Sequence, residues 1–164
     1  MPRLIENNSM TNISFNSYTG TFQDVKTIWN EKLWPNRKST IKEMSSMQYL
    51  DGFDMAIYEK YKPTFFIVKH QDKIVGVNSG HRTKDRLYRS RGIWVDPEFR
   101  RYGVAQILFD MTEKQAKKEK CDAVWSMPRK SALPAYEKFG FVKQGDFFDE
   151  GVEFGPNCWV LKRL

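Results

Sequence analysis

Ile93-Trp94-Val95-Asp96-Pro97-Glu98-Phe99-Arg100-Arg101-Tyr102-Gly103-Val104-Ala105 is the stretch that decides how this chain reads. An apolar strand runs into a proline-containing turn, then two arginines, then a glycine at the head of an amphipathic helix. A helix N-terminus presents up to four unpaired N–H groups and a partial positive charge, which together suit an anion. Gly103 has no Cβ, so a ligand can approach its backbone closely. Arg100 and Arg101 add charge-assisted hydrogen bonds. The stretch predicts a phosphate or pyrophosphate clamp, the alternative being an ordinary strand-to-helix connection that is merely basic.

The spacing is neither the Gly-x-Gly-x-x-Gly of dinucleotide folds nor a P-loop. Arg100-x-x-Gly103-x-Ala105 resembles the Gln/Arg-x-x-Gly-x-Gly/Ala signature of the GNAT superfamily of acetyl-CoA-dependent N-acetyltransferases, and the preceding Val95-x-Pro97-x-x-Arg100 matches as well. Downstream, the run from Ala132 through Tyr136 to Gly140-Phe141 resembles that family's closing pattern, Ala-x-x-x-Tyr-x-x-x-Gly-Phe. The resemblance covers the chain well from Thr64 onward and the preceding part only loosely. It implies one α/β domain over residues 1–164, built on a mixed, mostly antiparallel sheet of about six to seven strands flanked by about four helices.

The resemblance also implies chemistry. Acetyl-CoA would be the co-substrate, its acetyl group passing by direct attack to a primary amine of a small molecule or peptide. Arg100, Arg101, Tyr102, Gly103, Val104, Ala105 and Gln106 would clasp the pyrophosphate, mostly through main chain. Ile93 and Val95 would pair with the pantetheine arm as a peptide pairs with a strand edge. Tyr136 would be the acid for the leaving thiolate, since a thiol of pKa ~8.5 leaves more readily when a phenol near ~10 can donate to it. A tyrosine packed in the core is the alternative.

The sequence departs from the family in two places. An Asn frequent seven residues before this Tyr is replaced by Arg129, leaving Lys130 or Ser131 to meet the cofactor arm. Leu87-Tyr88-Arg89-Ser90-Arg91-Gly92 holds no carboxylate base. His81 titrates in the right range for that role, with Asp54 and Glu153 behind it, and a structural histidine is the competing reading.

The 164 residues suit one domain, and 40% hydrophobic with 15% aromatic content argues for a packed core over disorder. No apolar run approaches the ~20 residues of a membrane span. Residues 1–8 lack the apolar core of a signal peptide, so a cytoplasmic protein is expected, with residues 1–10 loosely ordered. Cys121 and Cys158 read as two reduced thiols, and no metal site is expected. The net charge of +7 favours anionic partners, of which the cofactor's phosphates account for some. Nucleic acid is the secondary explanation, through an acetyltransferase directed at aminoacyl-tRNA or a nucleic-acid-bound protein. A non-catalytic acyl-CoA-binding module is the third reading. Monomer and homodimer stay open.

Periodicity supplies the rest. Strands are expected at Ile13–Tyr18, Thr64–Lys69, Ile74–Ser79, Leu87–Val95, Ala123–Met127, Phe141–Phe147 and Asn157–Leu161. Helices are expected from Thr21 to Trp34, Ser39 to Met47 and Gly103 to Glu119, with a short one around Tyr136. Tyr49–Pro63 has no clean period. In the resembling family the first two helices cover the acceptor. So does the loop between the last two strands, which here carries Asp146, Asp149, Glu150 and Glu153. Asp149 and Glu150 are therefore candidates to draw in a cationic amine such as a polyamine, an aminoglycoside or a lysine-rich segment. A solvated hairpin turn is the alternative.

Overall fold

The strand that leads to Gly103 lies at the middle of the sheet. In a computed structural model of the chain, which describes residues 13–37, 41–47, 55–150, 152 and 155–164, seven strands form one sheet. They are β1 (Asn16–Gly20), β2 (Thr64–His70), β3 (Lys73–Arg82), β4 (Leu87–Val95), β5 (Ala123–Ser126), β6 (Val142–Phe148) and β7 (Asn157–Arg163). Their order is β1-β2-β3-β4-β5-β7-β6. Only β4 and β5 run parallel, joined through α3 (Val104–Lys118), while every other pair is antiparallel. The expected mixed sheet is present, with four α-helices among the described residues.

Helix α3 lies against β2, β3 and β4. Val104, Leu108, Thr112 and Ala116 recur on its inward side and are buried. They carry two clusters on one face of the sheet, one with Val68 and Val75, the other with Tyr88, Phe109 and Tyr136 of α4 (Leu133–Lys138). The opposite face is covered by α1 (Phe22–Ile28) and the turn that continues it, through Phe22, Val25, Trp29 and Trp34.

Thr21 opens α1 as its sequence suggests, with Asp24 Oδ2 accepting from the Thr21 N–H at 2.8 Å and its hydroxyl at 3.2 Å. The helix does not run regularly to Trp34. It widens over Trp29–Leu33 into a π turn closed by Trp34 N–H to the Trp29 carbonyl at 2.8 Å. In an α-helix, residues five apart point about 140° away from each other. The wider turn brings Trp34 back over Trp29, ring centroids 5.3 Å apart, so both indoles reach the same sheet face.

Other boundaries differ from the periodic reading for local reasons. β1 starts at Asn16, which pairs with Lys69 near the end of β2. Phe15 turns away to pack on His70 and Phe99. The segment expected as a second helix is a 3-10 turn over Glu43–Met47, closed by serine hydroxyls: Lys42 N–H donates to Ser45 Oγ and Ser46 Oγ donates to the Glu43 carbonyl. Ile41 is buried as expected, and Met47 rather than Met44 completes the inward side. A short α2 (Met55–Lys60) occupies part of the segment without clean period. Residues 1–10, Asp54 and Glu153 lie outside the described residues.

Candidate active site

β4 and β5 start side by side and then part. Leu87, Tyr88 and Arg89 pair with Ala123, Val124 and Trp125, and the ladder stops there. The last tie is the Ser126 hydroxyl, which donates to the Ser90 carbonyl at 2.7 Å. Beyond it the chain follows β7, with Cys158 N–H on the Pro128 carbonyl, Asn157 Nδ2 on the Met127 carbonyl and Arg129 bridged to Asn157. From Arg91 to Val95, β4 thus keeps an edge without a strand beside it on the β5 side. Ile93 and Val95 lie on that stretch.

A bulge sharpens the opening. Val77 pairs with Trp94 and Ser79 with Arg91, so β4 carries one extra residue at Gly92–Ile93 opposite Asn78. Gly92 has φ +83°, and its carbonyl accepts from Trp29 Nε1 at 2.9 Å. An added Cβ would lie 2.6 Å from the Trp29 ring. Bulges unpair a residue and re-aim the strand. Gly92→Ala should destabilise the fold by about 2–4 kcal/mol, combining left-handed strain with overpacking. Urea unfolding checks this, and a change below 1 kcal/mol would show that the indole yields freely.

The free edge ends at the predicted anion clamp. Asp96 closes the turn by accepting from the Glu98 N–H at 2.9 Å and pairing with Lys73 Nζ at 3.0 Å. Burial pushes its carboxyl up, but those two partners outweigh it and hold it below the usual range. Arg101 at φ +71° and Gly103 at φ +83° swing the backbone into α3. The first helical bond is Ile107 N–H to the Gly103 carbonyl at 3.1 Å, so the amides of Gly103, Val104, Ala105 and Gln106 stand ahead of the ladder. A Cβ at Gly103 would meet nothing within 4 Å, so the space above these amides is open. Arg100 and Arg101 are exposed, Val104 is buried beneath, and the Gln106 side chain donates to Asp110. Tyr102 packs on Phe99, which with His70 and Phe15 forms an aromatic group beside the turn. An anion fits this cradle.

Tyr136 enters from α4. Its ring is buried edge-on to Phe109 and Phe141, each centroid 5.2 Å away. Burial holds its phenol above the ordinary value, with a hydrogen bond to Ser126 and the Arg89 charge opposing. The hydroxyl therefore sits beside the residue at which β5 leaves β4, and it stays protonated at neutral pH. Ser131 is exposed in the turn before α4. Arg129 instead donates from Nη2 to the Leu33 carbonyl at 3.0 Å, tying this loop to the end of the π turn.

His81 does not suit the base role. It is fully buried on β3 opposite Arg89, and burial, then Arg89 and Arg91, lower its pKa from 6.5 to about 3. A ring with so little proton affinity is a poor base at pH 7, which corrects the sequence-based expectation. Its effect is on stability. The unfolded ring takes up a proton below pH 6.5 and the folded ring does not, so stability is full above that pH and falls as pH drops toward 3. This linkage should cost about 2 kcal/mol between pH 7 and pH 5. Urea unfolding of His81→Asn should lack that increment, and an unchanged slope would refute the linkage.

Asp149 and Glu150 are exposed after β6, where the Asp149 carbonyl accepts from Val152 N–H at 3.3 Å. Trp159 stacks between Phe148 and Trp125, which places the hairpin's base next to the strand opening. Cys121 and Cys158 are free and buried. Among the described residues no group of histidine, cysteine and acidic side chains could hold a metal ion, and no helix is long and apolar enough to cross a membrane.

Residues 27–141 match the sequence profile of the acetyltransferase (GNAT) family. A search of curated proteins finds no significant match. Solved structures share the fold. A candidate N-acetyltransferase of Lactobacillus plantarum is 13% identical with TM-score 0.69, over 92% of this chain and 99% of that one. An IAA acetyltransferase of Bacillus cereus is 16% identical with TM-score 0.65, over 92% and 100%. A Bacillus subtilis acetyltransferase in complex with CoA is 16% identical with TM-score 0.63, over 92% and 99%.

Proposed function

The chain belongs to the acetyltransferase (GNAT) family, and from that premise we propose that it is an N-acetyltransferase carrying the acetyl group of acetyl-CoA to a primary amine by direct attack in a ternary complex. The observation that carries the reading is the free edge of β4 running from the bulge at Gly92 into the amides that open α3. That edge supports a pantetheine arm paired at Ile93 and Val95, with its pyrophosphate over the amides of Gly103 to Gln106 and beside Arg100 and Arg101. Ser131, exposed in the turn before α4, would meet the arm from the loop after β5.

The residues then divide the work. An amide of the Gly92–Ile93 bulge faces the thioester oxygen, and one such donor is worth about 2.7–4 kcal/mol in a comparable hole. The neutral amine nitrogen bonds to the acetyl carbon, the carbon–sulfur bond breaks, and Tyr136 gives its proton to the leaving sulfur. The proton shed by the acylated nitrogen passes to water, from which Tyr136 is reprotonated. With His81 neutral and β4 lacking a carboxylate, the acceptor enters as free amine or loses its proton through water.

Asp149 and Glu150 form an acidic rim that draws in the amine. Asp149→Asn with Glu150→Gln should raise KM for a cationic acceptor about three- to tenfold, the scale of exposed ion pairs. Screening acts on the same attraction, so the salt dependence of KM should flatten too. An unchanged KM would mark the loop as a solvated turn. The function itself is tested by following loss of thioester absorbance with an amine library and identifying products by mass spectrometry. Acetylated amines are expected. A protein that binds acetyl-CoA but acetylates none would be a non-catalytic binding module.

A further inference from the structure

We propose that Asn78 is a positioning residue for acetyl transfer, its side-chain amide fixing the Gly92–Ile93 bulge of β4 against the amides that open α3; this rests on the acetyl-transfer reading. Asn78 lies on β3 opposite the extra residue of the bulge, with Val77 and Ser79 paired on either side of it. Its Nδ2 donates to Ser90 Oγ and to Thr112 Oγ1, both at 2.9 Å, and all three residues are fully buried. Ser90 stands where the edge of β4 comes free, its carbonyl taking the Ser126 hydroxyl. Thr112 stands on the inward side of α3 with Val104 and Leu108. One amide therefore joins β3 both to the strand just ahead of the bulge and to the helix whose first amides form the clamp.

The amide can take only one orientation. Thr112 Oγ1 donates its proton to the Leu108 carbonyl at 2.7 Å, so it can only accept from Asn78. Both Nδ2 protons are thereby committed, and no donor among the described residues reaches the buried Oδ1. A buried oxygen in that state detracts from stability, and an apolar side chain would fill the place without it. Packing alone therefore does not account for an asparagine here. What the amide adds is direction, because two hydrogen bonds specify how β4 and α3 sit where apolar contact would leave them free to shift. Acetyl-CoA would span the α3 amides at one end and the bulge amide at the other, so their separation decides where the thioester oxygen lands. A misplacement of about 1 Å can cost about 10²-fold in rate. The other face of the bulge is held by Trp29 Nε1 on the Gly92 carbonyl. Helix α3 is seated on β3 at Gly76, where a Cβ would lie 2.5 Å from Val104. The Asn78 amide completes the placement from the α3 side.

The test uses the full chain, acetyl-CoA and an amine that the wild type acetylates. Asn78→Leu roughly keeps the volume and removes both bonds. It should lower kcat about ten- to a hundredfold. The calorimetric dissociation constant of CoA should stay within about threefold, since the clamp itself is untouched. The loss should persist with a thioester of a more acidic thiol, because a better leaving group does not replace a displaced oxyanion donor. An asparagine that served stability alone would move the urea midpoint and leave kcat of the folded protein unchanged. Unchanged kcat, recovery with the acidic-thiol donor, or a CoA dissociation constant that rises in step with the loss of kcat overturns the positioning role alone. Should Asn78→Leu fail to fold, Thr112→Val and Thr112→Ser decide the matter. The first keeps the shape and loses the acceptor, and the second keeps the acceptor and loses the methyl. Turnover should fall in Thr112→Val and hold in Thr112→Ser, and equal values overturn the role. A wild type that acetylates no amine removes the acetyl-transfer reading, and the positioning role falls with it.

Discussion

Gly103→Glu should abolish acetyl-CoA binding, with the calorimetric dissociation constant rising at least 100-fold, about 3 kcal/mol. Two effects combine. Gly103 holds φ +83°, where an L residue is strained by about 1–2 kcal/mol. The new carboxylate would also project into the open space over the amides of Gly103 to Gln106 and satisfy them itself, while repelling the diphosphate. The fold should survive, because a Cβ there meets nothing within 4 Å. Gly145 is the control, with φ +81° and equally open surroundings but far along the chain in β6. Gly145→Glu imposes the same strain and should leave binding intact. Unchanged affinity in Gly103→Glu would remove the cofactor from this end of β4.

The backbone geometry of that candidate site was legible in the sequence because its determinants are local. Asp96, Pro97 and Gly103 dictate a turn and a helix start. The spacing of Val104, Ile107, Leu108 and Met111 marks the inward side of α3, where Val104 and Leu108 are buried. Thr112 and Ala116 complete that side without an apolar signal of that kind. β4 was readable to the residue, Leu87–Val95, since it lies between a 3-10 turn and a proline. The π turn was not readable, because it answers to Trp29 packing on Gly92, sixty-three positions away. The stacking of arginines on Trp34 was hidden for the same reason. Arg91 stood in the sequence only as the absence of a carboxylate, and its stacking with Arg37 on that indole depends on Trp34 being folded back over the sheet. His81 shows the limit most sharply. Residue type announces a titratable ring, but only its burial beside Arg89 says that the ring stays neutral.

Tyr136→Phe should lower kcat by about 10²–10⁴, the usual contribution of a positioned acid, with acetyl-CoA affinity nearly unchanged. The substitution removes one oxygen and keeps the ring edge-on to Phe109 and Phe141. Losing the bond to Ser126 should cost about 1 kcal/mol of stability, which leaves the protein folded. The pH profile separates an acid from a packing residue. Burial raises this phenol, so the wild type should keep its proton donor throughout the neutral and mildly alkaline range, and kcat should not fall there. An acceptor amine that must shed its proton makes kcat/KM rise over the same interval. In Tyr136→Phe that rise should persist at a lower level, because the hydroxyl acts on the leaving thiolate and not on the amine. Leaving-group chemistry supplies the last discrimination. A thioester of a more acidic thiol than CoA needs less help from a proton, so such a donor should recover much of the activity lost in the mutant. Wild-type turnover, or a loss that no donor repairs, would return Tyr136 to the core as packing alone.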